Sequence, residues 1–359
     1  MITSATPIIR KLIDRIGLTE KESESLFNTL NSEDTEGYYW VAATIALHTK
    51  GETVDELLGF VKSLGNFAEK LEPHIDEDSI IDISGTGGDR LKTFNVSTTA
   101  SLVVAGGGVI VAKQSSPGFT GVTGSKDIFE EIGLPLSTLT KNQIENALEK
   151  VGFCPFHRTY FSPRLKNQLH FFMKIREIGL TYKMPFHIAA LVFSPLKMYY
   201  RVYGCFEEKW MMILTQLFQK LGYKRGLIVF GDGGLDEIST IGATKVVEFT
   251  DKETKKYDLL PKDLGLRQAR YQDIEVGSKT QNIIDFLSIL KGKEKGAKRD
   301  LVLANSGAAF YVLGKTKSIK EGVELSKKII DAGLAWEKLI KLAELVGDSK
   351  KLKDWENRI

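Results

Sequence analysis

The residues with the clearest capacity for chemistry are a group of glycines followed by small polar side chains. The segment ISGTGGDRLKTFNVSTTAS, from Ile83 to Ser101, contains Gly85, Gly87, Gly88 and Asp89. Glycines let backbone N–H groups approach a ligand closely, and the start of the helix predicted next favours an anion, so phosphate suits this segment. Asp89 would repel a bare phosphate but can accept a hydrogen bond from a sugar hydroxyl or hold a metal-bound water. The pattern therefore favours a phosphorylated sugar.

The glycine spacing excludes two common nucleotide-binding motifs. It matches neither the P-loop pattern G-x-x-x-x-G-K-[ST] nor the dinucleotide pattern G-x-G-x-x-G. For a glycine-rich turn taken alone, a tight strand-to-helix connection without a ligand is an equal alternative. Asn95, Ser97 and Thr98 weigh against that alternative, because they place side-chain donors where the predicted helix begins.

A second candidate site is the turn GDGGLDEIST, in which Asp236 and Glu237 are adjacent. Two carboxylates in a glycine-rich turn can both reach a hard cation, and Mg²⁺ prefers such ligands together with waters and phosphates. The residues alone leave open the alternative that these acids simply favour a helix N-terminus. As acids of an exposed turn, they are expected to contribute little to folding stability. Lys113, taken alone, is an ordinary exposed lysine.

The elements around these residues predict an α/β fold. Short apolar runs predict strands at residues 79–84, 108–113, 226–231 and 244–249. A strand, a helix and a strand follow one another within about thirty residues from Ser79, which indicates a βαβ unit with parallel pairing. Capping boxes predict the starts of four helices, at Thr19 with Glu22, Thr53 with Glu56, Thr140 with Gln143 and Ser318 with Glu321.

Composition limits the class of protein. The chain has 359 residues, 42% hydrophobic and 26% charged, which suits one large domain with a smaller one and disfavours disorder. The net charge of +3, with basic residues spread along the chain, gives no strong signal for nucleic acid. Cys154 and Cys205 have no metal-binding spacing, so a reducing cytoplasm is expected. The N-terminus is too polar for a signal peptide, and no apolar run suits a membrane span.

The glycine segment resembles the signature of the anthranilate phosphoribosyltransferase family, Gly-Thr-Gly-Gly-Asp followed by Asn-x-Ser-Thr. The spacing from Asp89 to Asn95 is the family's. Pyrimidine nucleoside phosphorylases have a related glycine signature. However, TPIIRKLI near the N-terminus, GLDEISTIGATKVVEF in the middle and ANSGAAFYVLGKTKSIKEGVELSKKIIDAG near the C-terminus also resemble the first family. The resemblance therefore covers nearly the whole chain.

The resemblance implies an enzyme that transfers phosphoribosyl from phosphoribosyl pyrophosphate to an aromatic acceptor. It implies that Mg²⁺ is bound by Ser97, Asp236 and Glu237. The residues implied in donor binding are Gly85, Thr86, Gly87, Gly88, Asp89, Thr93, Asn95, Ser97, Thr98, Lys113, Gly124 and Ser125. A nitrogen nucleophile needs little deprotonation, so a Ser-His-Asp set is not required.

The implied architecture has two parts. Residues 1–72 form a small N-terminal helical domain, joined by helices near residues 160–185, and residues 73–359 form a large α/β domain with a mainly parallel sheet. The site is expected at the C-terminal ends of the strands. A homodimer through the helical domain is also expected. The family dimerises in this way, and Tyr38 to His48 has more apolar surface than a small helical domain easily buries.

The acceptor part departs from the family pattern. The family usually reads Lys-His-Gly-Asn-Arg where this chain reads KQSSP, from Lys113 to Pro117. Ile175 stands where the family has an arginine that pairs with the carboxylate of anthranilate. Arg176 is one residue later, about 100° further around a helix. The candidate acceptor contacts are therefore Ser116, Arg158 and Arg176, although Arg158 and its neighbour His157 suit a surface position equally well.

Four functions remain open from the sequence. The leading one is anthranilate phosphoribosyl transfer, and the next is the same transfer to a different aromatic acceptor. A nucleoside phosphorylase that uses free phosphate is the third. A non-enzymatic nucleic-acid-binding paralogue is the fourth, and the near-neutral charge with a complete donor motif weighs against it.

Overall fold

A computed structural model describes residues 4–87, 91–118, 123–157, 168, 170, 171, 173–175, 177 and 185–359. The chain divides into two compact units. The first comprises Met1–Lys70, Arg158–Leu196 and Gln216–Leu221, and the second comprises Leu71–His157, Lys197–Thr215 and Gly222–Ile359. Most of the helices expected near residues 160–185 lie outside the described residues, as do four candidate site residues: Gly88, Asp89, Arg158 and Arg176.

The strands described in the second unit form one seven-stranded sheet. They are β1 (Ile80–Gly85), β2 (Ile110–Gln114), β3 (Phe153–Phe156), β4 (Tyr200–Gly204), β5 (Arg225–Gly231), β6 (Thr244–Thr250) and β7 (Thr254–Leu259). Their order across the sheet is β3-β2-β1-β4-β5-β6-β7. Pairing is parallel from β3 through β5 and antiparallel for β6 and β7. The prediction of a mainly parallel sheet is confirmed.

The described α-helices occur in both units. In chain order they are α1 (Ala5–Ile13), α2 (Glu20–Glu33), α3 (Tyr38–Lys50), α4 (Val54–Asn66), α5 (Val96–Gly106), α6 (Ser125–Glu131), α7 (Lys141–Lys150), α8 (Pro185–Val192), α9 (Trp210–Lys220), α10 (Tyr271–Ile274), α11 (Lys279–Leu290), α12 (Ala297–Val312), α13 (Ile319–Asp331), α14 (Leu334–Val346) and α15 (Ser349–Glu356). None of these helices is both long and apolar enough to cross a membrane.

The capping residues named from the sequence begin the helices as expected. The side chains of Thr19, Thr53 and Thr140 accept hydrogen bonds from the N–H groups three residues later, in α2, α4 and α7. Ser318 does the same for α13. Each device satisfies a backbone donor that a helix start leaves unpaired, which is why these boundaries can be read locally.

The core of the second unit lies on the faces of the parallel strands. α5 is built from small apolar and hydroxyl residues and packs against β1 and β2. α12 packs against α5 and against β4 and β5. Parallel strands are normally covered on both faces, so their side chains are largely buried.

The strand order creates a switch point between β1 and β4. From β1 the chain moves outward to β2 and β3, and it then returns to the other side of β1 to form β4. In open parallel sheets, ligands bind outside the carboxyl ends of the strands where the order reverses. Here those ends are Gly85 and Gly204, which are paired directly across the two strands.

Candidate active site

The glycine loop leaves β1 at this switch point and is held by hydrogen bonds from two other segments. The Thr86 N–H donates to the carbonyl oxygen of Gly204 at 3.0 Å. The Gly87 N–H donates to Asp236 Oδ2 at 2.6 Å. The first part of the signature therefore lies against the acidic turn that the sequence placed about 150 residues away as a separate site.

Asp236 fits against β1 and β4 because both strands end in glycine. A Cβ atom on Gly204 would lie 1.5 Å from the backbone oxygen of Asp236, and one on Gly85 would lie 2.2 Å from Asp236 Oδ2. Neither distance is compatible with a side chain. These two glycines therefore provide close approach between strand ends and an acidic residue, which differs from the turn flexibility that glycine usually supplies.

The start of α5 meets the other acid of the turn. The Ser97 N–H donates to Glu237 Oε1 at 3.2 Å. Lys113, at the end of β2, donates from Nζ to the Ile83 carbonyl oxygen at 2.6 Å and to Ser97 Oγ at 3.2 Å. Asp236, Glu237, Ser97 and Lys113 thus converge at the carboxyl ends of β1 and β2.

The expectation of an exposed acidic turn is wrong for Asp236, which is 8% exposed. Lys113 is also buried, so the alternative of an ordinary exposed lysine is wrong. Burial lowers the pKa of the Lys113 ammonium, while the carboxylates of Asp82 and Glu237 oppose this shift because negative charge favours the protonated form. Removing the Asp236 carboxylate would leave the Gly87 N–H without this acceptor, so Asp236 contributes to the fold as well as to the site.

The donor set suits a hard cation. Asp236 and Glu237 supply carboxylate oxygens that accept from the Gly87 and Ser97 N–H groups, and Ser97 supplies a hydroxyl oxygen that accepts from Lys113. Mg²⁺ is usually bound by one or two carboxylates, with waters and substrate phosphates completing its shell. In the part of the chain that the structure describes, no group of three His, Cys, Asp or Glu side chains forms a closed metal site.

Asn95 connects the start of α5 to the loop after β2. With its amide nitrogen donating to the Thr123 carbonyl oxygen, its amide oxygen accepts from the Ser125 N–H, and both distances are 3.1 Å. The Asn95 N–H itself donates to Asn282 Oδ1 at 3.1 Å. Ser125 Oγ in turn accepts from the Ser116 N–H at 3.2 Å. Asn95, Ser125 and Ser116 are therefore linked by hydrogen bonds, although the sequence assigned Asn95 and Ser125 to the donor and Ser116 to the acceptor.

Two predicted donor residues lie apart from this convergence. Thr93 is half-buried and pairs through its backbone with Glu275 in an isolated antiparallel bridge. Thr98 is buried within α5, and none of the hydrogen bonds among the described residues joins its side chain to Asp236, Glu237 or Lys113.

Sequence reasoning missed a buried polar group beneath the glycine loop. Arg201 Nη2 lies 2.7 Å from Asp82 Oδ2, and both side chains are 0% exposed. Ser84 Oγ donates to the same carboxylate oxygen at 2.6 Å. Burial by itself would lower the pKa of Arg201. Interactions with Tyr223 and Asp82 outweigh burial and raise this pKa. The available signal was a charged residue inside each apolar strand segment, IIDIS and YRVYG.

The acceptor candidates are described only in part. Ile175 is 4% exposed, and Ser116 is half-buried. His157 is also buried, so its surface alternative is wrong. Arg158 and Arg176 lie outside the described residues, and their assignment to the acceptor stays a prediction.

Comparison with protein families matches both parts of the chain. Residues 77–336 match the glycosyl transferase family a/b domain, and residues 6–68 match the glycosyl transferase family helical bundle domain. The anthranilate phosphoribosyltransferase of Methanococcoides burtonii is 35% identical over 346 residues, covering 95% of this chain and 94% of the relative. That of Bacillus cereus strain G9842 is also 35% identical, covering 92% and 94%.

Solved structures give the same result for the fold. Anthranilate phosphoribosyltransferase from Thermus thermophilus superimposes with a TM-score of 0.86 at 29% identity, covering 94% of this chain and 99% of that one. The enzyme from Saccharomyces cerevisiae, in complex with PRPP and Mg, gives a TM-score of 0.83 at 20% identity, covering 96% and 98%. The chain therefore belongs to the anthranilate phosphoribosyltransferase family of glycosyl transferases and is a pentosyltransferase.

Proposed function

We propose that this protein transfers the phosphoribosyl group from phosphoribosyl pyrophosphate to an aromatic amine, with anthranilate as the first candidate. The observation that carries the proposal is the convergence of the glycine loop, Ser97 and Lys113 on the adjacent carboxylates Asp236 and Glu237. The names of the relatives support the same reaction, which in those proteins uses anthranilate. Transfer to anthranilate would place the protein in tryptophan biosynthesis.

In the proposed reaction, the bond between the ribose anomeric carbon and the pyrophosphate oxygen breaks. A carbon–nitrogen bond forms to the acceptor amine, whose proton passes to solvent. The start of α5, next to the glycine loop, supplies the partial positive charge of a helix N-terminus to the donor phosphates. Because this helix start is fixed before the donor binds, it stabilises charge on the leaving group without rearranging.

Asp236, Glu237 and Ser97 are the residues that we propose hold Mg²⁺. When bound, the metal supplies positive charge that offsets the charge of the pyrophosphate. Lys113 Nζ donates to the Ser97 hydroxyl, and Asp236 Oδ2 holds the glycine loop by accepting from the Gly87 N–H. The S. cerevisiae relative was solved in complex with PRPP and Mg, which supports Mg²⁺ as the metal.

The acceptor site is the part in which we propose a difference from the family. A carboxylate that enters a closed site needs a charged or multiply donating partner, or its desolvation is unfavourable by several kcal/mol. Ile175 has no polar group, and Pro117 has neither an N–H nor a polar side chain. Ser116 can donate one hydrogen bond from its hydroxyl, worth about 1 kcal/mol. Anthranilate is therefore proposed to bind more weakly than the donor unless Arg158 or Arg176 reaches it.

The experiment that tests the function is calorimetry with donor and Mg²⁺, followed by turnover with a panel of aromatic amines and acids. The proposal expects metal-dependent donor binding and release of pyrophosphate when an acceptor is added. Phosphorolysis of a nucleoside without donor binding would contradict it. Turnover of anthranilate at about 1 per second or more, with anthranilate binding as tight as that of the donor, would contradict the acceptor difference.

We also propose that the protein is a homodimer through its N-terminal helices. Large apolar side chains at the end of α1, just after it, and at the start of α3 are exposed: Ile13 by 64%, Ile16 by 52% and Tyr38 by 75%. Exposed apolar side chains of this size suit a subunit interface. Light scattering at micromolar concentration should give twice the mass of the chain, and a single-chain mass would contradict the proposal.

The proposed location is a reducing cytoplasm. Cys154 and Cys205 are both buried and neither forms a disulfide, and a reducing compartment is where cysteines usually remain as thiols. Fractionation of cells that produce the protein would test this, and recovery in an oxidising compartment would contradict it.

A further inference from the structure

Arg201 and Asp82 are direct partners across the switch point. They lie opposite one another on the adjacent parallel strands β4 and β1. The guanidinium Nη2 is 2.7 Å from the Asp82 carboxylate, and neither side chain is exposed to solvent. The guanidinium also lies over the ring of Tyr203, 4.7 Å from the centroid. The position of the Arg201 guanidinium is therefore set by contacts with both the Asp82 carboxylate and the Tyr203 ring.

Stability alone does not account for a buried ion pair at this position. Removing two charges from water is unfavourable, and apolar residues of similar volume are often as stable or more stable. The next register position of the same strands pairs Ile83 with Val202, and both are buried. Apolar side chains can therefore join β1 to β4, and the charges at the preceding position need another explanation.

The pair is linked to the glycine loop through Ser84. Its hydroxyl donates to Asp82 Oδ2 at 2.6 Å and accepts from Arg201 Nη2 at 3.2 Å. Gly85 follows directly in register with Gly204, and the Thr86 N–H then donates to the Gly204 carbonyl oxygen. An unbroken series of contacts thus runs from Arg201 to the backbone of the glycine loop.

We propose that Arg201 is a positioning residue for the phosphoribosyl donor, acting through Asp82 and Ser84 on the strand end that carries the glycine loop. This inference rests on the proposed function. The proposed role of Arg201 does not involve contact with the donor. It fixes the direction in which β1 ends, and with it the path of the glycine loop that continues from Gly85.

The test is the dissociation constant of phosphoribosyl pyrophosphate with Mg²⁺, measured by calorimetry on the full chain. Arg201→Met should raise it at least tenfold, a change of about 1.4 kcal/mol. Arg201→Lys keeps a charge beside Asp82 and should recover part of the loss, although lysine lacks the planar fork of arginine. In steady-state assays the KM of the donor should rise more than kcat falls, because the contacts of the acceptor are unchanged.

A second cross-strand ion pair in the same sheet supplies the matched control. Arg225 on β5 lies 2.7 Å from Glu248 on β6, and Arg225 stacks over the ring of Tyr311. Arg225→Met should lower the melting temperature while leaving the dissociation constant of the donor within about twofold, because Arg225 begins β5, at the end of the parallel strands away from the glycine loop.

Ser84→Ala keeps the test decisive if Arg201→Met fails to fold. It removes the hydroxyl that joins the pair to the loop and leaves the ion pair in place, and it should raise the dissociation constant of the donor severalfold. An unchanged constant in Ser84→Ala and in any folded Arg201 variant would overturn the inference, as would an equal change in Arg225→Met. If the unaltered protein fails to bind the donor, the proposed function itself is wrong, and that result is distinct from normal binding with insensitive variants.

Discussion

After β1 the chain continues into Gly85–Gly87, and after the neighbouring β2 it continues into Ser115–Gly118, at the same edge of the sheet. In the first loop, backbone N–H groups of Thr86 and Gly87 are fixed by Gly204 and Asp236. In the second loop, two side chains hold the backbone: Ser125 Oγ accepts from the Ser116 N–H, and Asp127 Oδ2 accepts from the Gly118 N–H. The side chains of Ser116 and Pro117 lie half-buried and exposed, respectively.

The difference lies in which atoms are left to meet a ligand. The first loop is held through backbone N–H groups, which every residue type but proline has, yet it requires glycine at Gly85 because Asp236 occupies the space of a Cβ atom. The second loop offers side chains, which can change without moving the backbone. A donor site built on the first loop is therefore intolerant of substitution, whereas an acceptor site that uses the second can be altered by substitution.

The largest effect should come from neutralising the acids that fix the first loop. The double change Asp236→Asn and Glu237→Gln keeps the shapes but removes the charges that favour Mg²⁺. We expect kcat/KM for the donor to fall at least about 100-fold, equivalent to about 2.7 kcal/mol. Steady-state assays across a range of Mg²⁺ concentrations measure this.

The control for that double change is Asp232→Asn in the same turn. Asp232 is exposed, and its Oδ1 accepts from the Gly233 N–H at 2.9 Å. Its activity should stay near that of the unaltered protein. Full activity in the double variant would remove the metal role of the acidic pair and with it the contrast between the loops.

Gly204→Ala should have the next largest effect. The new methyl group would lie 1.5 Å from the backbone oxygen of Asp236, so one of the two segments must move. Overpacking of this kind lowers stability by about 1–3 kcal/mol, and the displaced Asp236 should weaken donor binding as well. Thermal unfolding and donor calorimetry measure the two effects separately.

Gly277→Ala is the matched control, since no atom lies within 4 Å of a Cβ atom placed there. It should leave both stability and donor binding nearly unchanged. If Gly204→Ala behaved like this control, close approach would not explain the glycines at the strand ends.

Asn282→Leu should have an intermediate effect that reaches both loops. Asn282 Oδ1 accepts from the Asn95 N–H, and the Asn95 side chain contacts Thr123 and Ser125. Loss of a buried acceptor is unfavourable by about 1–3 kcal/mol. We expect the KM of both donor and acceptor to rise, while Gln281→Ala, on the same helix, should leave both unchanged. A rise confined to one substrate would show that Asn95 does not couple the two loops.

Ser116→Ala should have the smallest effect. It removes one side-chain hydroxyl from the second loop, worth about 1 kcal/mol or roughly fivefold in acceptor affinity. The dissociation constant of the donor should not change, because the Ser116 N–H that donates to Ser125 is retained. Equilibrium binding of each substrate measures this, and a larger loss of donor than of acceptor would reverse the roles given to the two loops.

The sequence by itself determined the locally encoded features. Four helix starts were readable from capping pairs such as Thr53 and Glu56, because a cap involves residues three apart. The strands β1, β2, β5 and β6 were readable as apolar runs bounded by turns. The family resemblance in the glycine segment also predicted the type of ligand.

Other strands carry no such local signal. β3 contains Pro155 within four residues, β4 contains a buried arginine, and β7 is largely charged. Their pairing depends on neighbours far along the chain. Strand composition reflects burial and cross-strand contacts more than intrinsic preference, so these segments cannot be identified from their own residues.

The tertiary structure alone decided how the site is joined together. Sequence spacing gives no indication that Gly87 donates to Asp236, that Glu237 accepts from Ser97, or that Asn282 supports Asn95. The sequence also gave no sign that Lys113 and Asp236 are buried. Their burial is produced by contacts with segments that are distant along the chain. The ion pair of Arg201 with Asp82 exists because β4 returns beside β1, and that order is set by packing of the whole sheet.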